Sequence, residues 1–527
     1  MFDKWLKLPA HYYLKITALV ILTVGVCLHN TLMSIGTIWI GANWLIEAKY
    51  PFYWKKFKST PAIWFLIGLL VLSFISLTWS SDTAYGLKDI GKKMPFFVIP
   101  FILGLSEPVE QKVRNFLFYV FLFVLVLTSG INFYRYNYVL EAGHDIREMS
   151  YFISHVRFSI LVVLGIAISI YLSFKRPKVL LILAPVILWL AFYTYKSQII
   201  NGYVLLVALL LLSVVYIILK QKKNSLKFVG FTLLISIVSI SIWKVNSVIQ
   251  SFDVPAEVQL DDLPKKTLNG NLYMHDLNSK LRENGNLVWY YVQPEELERE
   301  WNKRASIAYD SLDNKDQPMF GTLIRYMTSR DIPKDSLGVS MLTDAEIIAI
   351  ENGATSIRIN DGLKAKLDEF MYQWFAYVNE GDPNGNSLLQ RLEHLKIGWS
   401  IAAKNSIVGV GIGDVNNAFI KEYVLLNSQL NEENQHRAHN QYLTYWISLG
   451  FIGLLVFLLF FTIPFVKVAN KDYLFYAIFT LLAISLFFQD LLETQAGVCI
   501  FGLFYGLMAF TDSTNPEAHL TSDHSDQ

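Results

Sequence analysis

The chain has 527 residues, of which 53% are apolar and 17% charged, against about 25% charged in ordinary soluble proteins, so water is not the only solvent it meets. Its formal charge of +1 hides a division: residues 251–438 carry 28 acidic and 19 basic side chains, the remainder 16 acidic and 26 basic. No overall basic excess marks a nucleic-acid partner, and the two cysteines, Cys27 and Cys499, lie inside apolar runs, which excludes a disulfide framework or a Cys-ligated zinc site.

A bilayer core about 30 Å thick takes about 20 mostly apolar residues per helix. Twelve such spans are predicted, near 13–29, 31–47, 61–79, 94–106, 113–134, 155–174, 178–195, 199–219, 227–247, 440–463, 472–489 and 495–511. The first is followed at once by a second and lacks a small-residue cleavage site, so it reads as a retained helix and not a signal peptide. Lysines and arginines of short loops stay in the cytoplasm. Lys49, Lys55, Lys56 and Lys58 follow the second span; Lys112 and Arg114 precede the fifth; Lys175, Arg176 and Lys178 follow the sixth; Lys220, Lys222, Lys223 and Lys227 follow the eighth. All are even-to-odd connections and are expected inside, with the N-terminus and the tail from Thr511. Lys88, Lys92 and Lys93 break the pattern; they are expected at the outer interface, snorkelling from a helix end or meeting an anionic lipid.

The same count puts residues 250–438 outside the cytoplasm. Pro294 followed by Glu295, Glu296 and Glu298 opens a helix, and Thr343 to Glu346 has the spacing of a capping box before a short helix ended by Gly353. Further helices are expected over 361–379 and 387–404. No alternation strong enough for a sheet, no internal repeat and no low-complexity tract is present.

Chemistry concentrates where this segment returns to the membrane. Arg391-Leu-Glu-His is followed by Gly409-Val-Gly-Ile-Gly413-Asp414, then Arg437-Ala-His439-Asn440-Gln-Tyr442-Leu443, then Gly450-Phe-Ile-Gly453. The glycines have the wrong spacing for a dinucleotide fingerprint. His436 and His439 stand three apart, but no carboxylate or third histidine lies at a convincing interval for a metal. His439 is the candidate base, since an imidazole with an unperturbed pKa near about 6.5 accepts a proton at neutral pH.

These residues resemble the O-antigen ligase and O-antigen polymerase superfamily of bacterial membrane glycosyltransferases. The resemblance runs over nearly the whole chain: many spans, one large late loop, an Arg-x-Glu element (Arg391 to Glu393), a glycine turn (Gly409 to Gly413), a His-Asn-x-Tyr-Leu element (His439 to Leu443) and a Gly-x-x-Gly span (Gly450 to Gly453). His155-Val-Arg157-Phe-Ser and Glu493-Thr-Gln495-Ala-Gly497 add weaker likenesses. The family's Arg-Ser pair is replaced here by Lys196-Ser197, which keeps the charge and loses the planar fork. The resemblance implies an all-α polytopic membrane protein of about 12 transmembrane helices in a GT-C-like bundle. It is divided into an N-terminal bundle (1–249), a periplasmic helical loop domain (250–438), the last spans (439–511) and a cytoplasmic tail (512–527).

The implied donor is a glycan on undecaprenyl diphosphate and the acceptor a lipid A core sugar, or a second lipid-linked unit for a polymerase. Transfer is implied at the periplasmic face of the inner membrane, without cofactor or metal. His439 is the expected general base. Arg391, then Lys196 and Arg157, are expected to bind the diphosphate, with Asn440, Tyr442 and Glu493 as further substrate contacts. A transporter of lipid-linked sugars is the competing class; the absence of repeats between halves and the scarcity of charge within the spans weigh against it.

Overall fold

The computed structural model describes residues 10–140, 146–250, 263–276, 278–279, 281–315, 317–357, 363–381, 383–384, 387–469 and 471–511. Lys4, Lys7, the tail from 512 and the opening of the long loop at 251–262 lie outside the described residues. The chain divides into two compact units, one formed by Met1–Lys227, His394–Leu426 and His436–Gln527, the other by Phe228–Glu393 and Asn427–Gln435.

The first unit begins with α1 (Ala10–Leu28), α2 (Asn30–Glu47), α3 (Tyr50–Ser59), α4 (Pro61–Ser76), α5 (Thr83–Leu105), α6 (Gln111–Tyr138), α7 (His155–Lys175), α8 (Leu180–Ser197) and α9 (Ile200–Lys220), and α10 (Asn224–Gln250) starts at its edge. A helix underlies each of the twelve predicted spans, yet only seven helices among the described residues are individually long and apolar enough to cross a bilayer, or eight if the bent pair α3–α4 counts as one. The difference has three physical sources. Pro61 follows the break that turns α4 by 95° from α3, because proline fixes its own φ and removes a helical donor. The helix expected to start near 94 starts at Thr83, capped by Asp82. Lys88, Lys92 and Lys93 are therefore helical residues of α5 and not an outer loop, which corrects the interfacial reading for Lys93, now buried. The last two predicted spans form helices of only 16 and 15 residues, Tyr473–Phe488 and Gln495–Ala509, whereas the tenth, although broken at Gly450, is among the seven.

Packing follows the apolar faces. α1 packs on α2, α4 on the later helix α18 (Gln441–Lys467), α5 on α20 (Gln495–Ala509), and α7 on α8, α9 and α19 (Tyr473–Phe488). Phe96 of α5, Phe457 and Phe460 of α18, and Phe501 and Tyr505 of α20 form one aromatic core, with neighbouring ring centroids 4.5–6.5 Å apart. Such edge and offset contacts contribute about 0.5–1.5 kcal/mol per pair beyond burial, and they fix the ends of α5, α18 and α20 that carry the charged residues below.

The second unit contains a two-residue antiparallel hairpin, β1 (Arg282–Glu283) with β2 (Asn286–Leu287), and the helices α11 (Pro294–Arg304), α12 (Met319–Ser329), α13 (Ser336–Ser340), α14 (Asp344–Glu351) and α15 (Leu363–Glu380). The hairpin was not expected: two residues per strand are too few to leave an alternation in the sequence. The proline-led helix and the Thr343–Glu346 capping box form as predicted. The core gathers Leu297, Trp301, Leu323, Met327, Val339 and Ile350. Buried Glu296 accepts hydrogen bonds from Thr267, Asn271, Asn269 and the Ser336 amide, which ties the preceding loop to α11 and α13. Burial works to raise its carboxyl, but these donors prevail and hold it down at about 2. α16 (Ser387–Lys404) and α17 (Val415–Leu425) complete the helices.

Candidate active site

In the first unit, the glycine turn and the helix that follows it are built against each other. Gly450 has φ 70° and ψ −174° and interrupts α18, leaving the carbonyls of the turn before it without helical partners. The glycine turn supplies donors: Val410 N–H bonds the Ile447 carbonyl at 2.8 Å and Gly411 N–H the Ser448 carbonyl at 3.0 Å, while Phe451 N–H returns to the Ser406 carbonyl at 2.8 Å. A β-carbon on Gly450 would lie 2.0 Å from the Ile407 carbonyl oxygen, so only glycine permits this approach. Asp414 then accepts from the Ser81 amide at 2.7 Å, the Ser81 hydroxyl at 2.6 Å and the Asp82 amide at 3.1 Å, anchoring the start of α5.

That anchoring brings α5 to the segment before α18. Glu493, in the loop between α19 and α20, is buried and receives Lys93 Nζ at 2.8 Å, Arg437 Nη1 at 3.1 Å and Gln441 Nε2 at 3.1 Å. Lys93 also donates to Asp89, one turn earlier on α5, at 2.7 Å. Arg437 donates from Nε to Asn416 at 2.8 Å and from Nη2 to the Tyr85 hydroxyl. Two cations and two carboxylates thus neutralise one another out of water, the condition under which buried charge is tolerable. Burial pushes the Glu493 carboxyl up, yet Lys93 and Arg437 outweigh it and hold it below the usual range.

His439 sits two residues after Arg437. Its backbone is left-handed, φ 49°, a conformation that histidine adopts more readily than most side chains. Its N–H donates to Asp490 Oδ2 at 3.1 Å, and its imidazole Nδ1 lies 3.9 Å from the same oxygen. The Thr444 hydroxyl donates to Asp490 Oδ1 at 2.8 Å. Burial first, and then the neighbouring Glu493 charge, raise the Asp490 carboxyl to about 6. The His439 side chain is 34% exposed where Asp490 is 11%, so the carboxylate backs an imidazole that reaches solvent. His394 and His436 surround it, with ring centroids 5.5 and 6.0 Å from that of His439. Among the described residues no three His, Cys, Asp or Glu side chains are arranged to hold a metal.

The other predicted residues divide. Glu493, expected as a substrate contact, is engaged with Arg437 and Lys93. Asn440 caps α18 by accepting the Leu443 amide at 3.0 Å, and Tyr442 donates to the Ala483 carbonyl at 3.1 Å, so both side chains serve packing. Arg157, at the start of α7, donates to Ser154 Oγ at 3.0 Å, keeps a buried Nε without a hydrogen-bond partner among the described residues, and is within electrostatic reach of Asp490. Lys196 is exposed at the end of α8, its ammonium 6.0 Å from the centre of the Phe192 ring. Arg391 is half-buried on α16, one helical turn before His394, in the part of that helix belonging to the second unit. Asp89 and Asp490 were not singled out from sequence, Lys93 was read only as interfacial, and Arg437 only as part of the string that contains His439. The i,i+4 pair Asp89/Lys93 beside an apolar run was the available signal.

The pairing of a glycine turn, a broken helix and a histidine set before it falls within one matched segment. Residues 340–458 match the family model described as O-Antigen ligase. The match supports the O-antigen ligase and polymerase superfamily, whose members are membrane glycosyltransferase-like enzymes acting on lipid-linked glycans. It covers Arg391, the glycine turn, Arg437, His439 and Gly450, while the residues that hold Arg437 and His439 in place from α5 and from the loop before α20 lie outside it. The apolar helices fit an O-antigen ligase-type protein that crosses a membrane several times. No curated protein matches the chain.

Proposed function

We propose that the chain is an inverting glycosyltransferase of the O-antigen ligase type, moving a glycan from undecaprenyl diphosphate to a lipid A core hydroxyl at the periplasmic face of the inner membrane. The observation that carries this reading is His439 held by Asp490 beside buried Arg437. His439 Nδ1 faces Asp490, which assigns Nε2 to the acceptor hydroxyl. As that oxygen attacks the anomeric carbon, its proton passes to His439, and Asp490 stabilises the imidazolium that forms. The bond from the anomeric carbon to the phosphate oxygen breaks on the opposite face, its electron pair leaving with the lipid diphosphate. Arg157, whose Nε has no hydrogen-bond partner among the described residues, is assigned to that departing charge, with Lys196 as an outer contact. Fixed cations stabilise a developing oxyanion best where water is excluded. Arg437, already committed to Glu493, positions the His439 loop and sets the local potential.

Purified protein given lipid-linked donor and lipid A core acceptor is expected to form a glycosidic product without added nucleotide. His439→Ala is expected to lose at least about a hundredfold in turnover, in the range of general-base removal, while donor binding persists; retained turnover removes the assignment. Replacing the acceptor by a second lipid-linked unit tests the polymerase alternative. Donor relocation across vesicles without product would instead place the chain among transporters.

A further inference from the structure

A cavity of about 300 Å³ lies where α4 begins and α5, α18 and α20 end, and Lys56, Ser59, Thr60, Ser106 and Lys467 contribute to its lining. We propose that it binds a phosphate group, supplied by the headgroup of an anionic lipid. Ser106 is 5% exposed and, among the described residues, its hydroxyl has no hydrogen-bond partner; an orphaned buried hydroxyl is unfavourable unless something fills the site. Thr60 is the N-cap of the 16-residue α4 but makes no side-chain cap, Pro61 brings no N–H and Ile63 N–H bonds the Thr60 carbonyl at 3.0 Å, so the first turn offers the Ala62 amide and the positive end of its dipole. Among the described residues neither Lys56 nor Lys467 has a carboxylate partner. Three helices also end here, the amides of Ser106, Val468 and Phe510 closing their ladders on the carbonyls of Ile102, Pro464 and Gly506, so Lys56 and Lys467 must also offset the negative ends of those helices. Two ammonium groups, several hydroxyls and a helix N-terminus with no acid among the lining residues select an anion, and the volume admits a phosphate with its glycerol.

The position fits a lipid and not the transferase chemistry. α5, α18 and α20 each run from the charged cluster to this cavity; the 23 residues of α5 make about 34 Å of helix and the 15 of α20 about 22 Å, against about 30 Å for a bilayer core. The cavity therefore belongs to the opposite leaflet from His439, the one in which the basic loops place Lys56.

The test is thermal unfolding of the purified full chain in detergent, with short-chain phosphatidylglycerol, short-chain phosphatidylcholine or inorganic phosphate added. Phosphatidylglycerol is expected to raise Tm by about 2–3 °C through ligand linkage, and phosphatidylcholine not to. Lys56→Ala with Lys467→Ala should abolish the shift, Ser106→Ala should reduce it, and Lys55→Ala with Lys58→Ala, an equal loss of charge outside the cavity, should leave it intact. A shift with inorganic phosphate that vanishes in the Lys56/Lys467 variant keeps the site and makes free phosphate an occupant. No shift with either anion, or one that survives the Lys56/Lys467 variant, overturns the proposal.

Discussion

The Asp490 carboxylate does two things that a sequence scan for catalytic residues does not weigh: it fixes the left-handed backbone of His439 through the amide, and it faces the imidazole. Because burial and then Glu493 raise its pKa to about 6, it is charged at pH 7.5 and loses that charge as pH falls through about 6. The acid limb of the rate profile is expected there. Stability moves the other way. The folded-state pKa lies above the unfolded value of about 3.9, so the native protein binds the proton more readily and loses stability as pH rises from about 4 to about 6, staying level above that. Asp490→Asn should therefore unfold no earlier than wild type at pH 7.5 while turning over about 10- to 100-fold more slowly; a fall in Tm together with unchanged turnover would refute the orienting role. Arg437 behaves differently, since its three nitrogens reach Glu493, Asn416 and Tyr85. Arg437→Ala leaves a buried carboxylate half-compensated and is expected to cost about 3–5 kcal/mol, measured by thermal unfolding. Exposed Lys196→Ala should change stability by less than about 0.5 kcal/mol and act on the KM for donor instead.

At the level of elements, the junction between the glycine turn and α18 is the most exacting piece of the fold. An alanine at 450 would have to hold φ 70° and place its β-carbon 2.0 Å from a backbone oxygen that cannot retreat without breaking the pairing on either side. Gly450→Ala is expected to destabilise by at least about 3 kcal/mol, or to prevent accumulation in the membrane. Gly91→Ala, on α5 with nothing within 4 Å, should be tolerated, and comparing the amounts of folded protein recovered separates a local effect from general fragility. The sequence made the helices legible because apolar length is a strong signal, and it drew attention to His439 and Glu493 because they sit in short, distinctive strings, without showing that Glu493 holds Lys93 and Arg437. It did not show that Gly450 breaks its helix, since an apolar run reads the same whether continuous or interrupted. Lys93 was misplaced for a related reason: a lysine cluster beside an apolar run looks interfacial until a carboxylate distant in sequence, here Glu493, is folded against it. Arg437 stood in view two residues before His439, but its role depends on partners from α5, α17 and the α19–α20 loop, which no local pattern encodes.

Across the molecule, the proposed function requires one orientation, with Lys55 inside and the surface carrying α17 outside, as the basic loops predict. The direction of chemistry depends on it, because a donor displayed in the periplasm is useless to a histidine facing the cytoplasm. The native cysteines make the orientation measurable: Cys27 and Cys499 are both buried, so a membrane-impermeant maleimide should leave the unaltered chain unlabelled in intact cells. Lys421, exposed on α17, can be exchanged for cysteine without touching the Arg437 contacts, and Lys55 for cysteine outside the lining of the phosphate cavity. Lys421→Cys is expected to label in spheroplasts, and Lys55→Cys only in inverted vesicles. The reverse pattern would put His439 on the cytoplasmic side, where the proposed reaction has no donor, and labelling of both from one side would mean that α5, α18 and α20 do not carry the chain across the bilayer between the two ends.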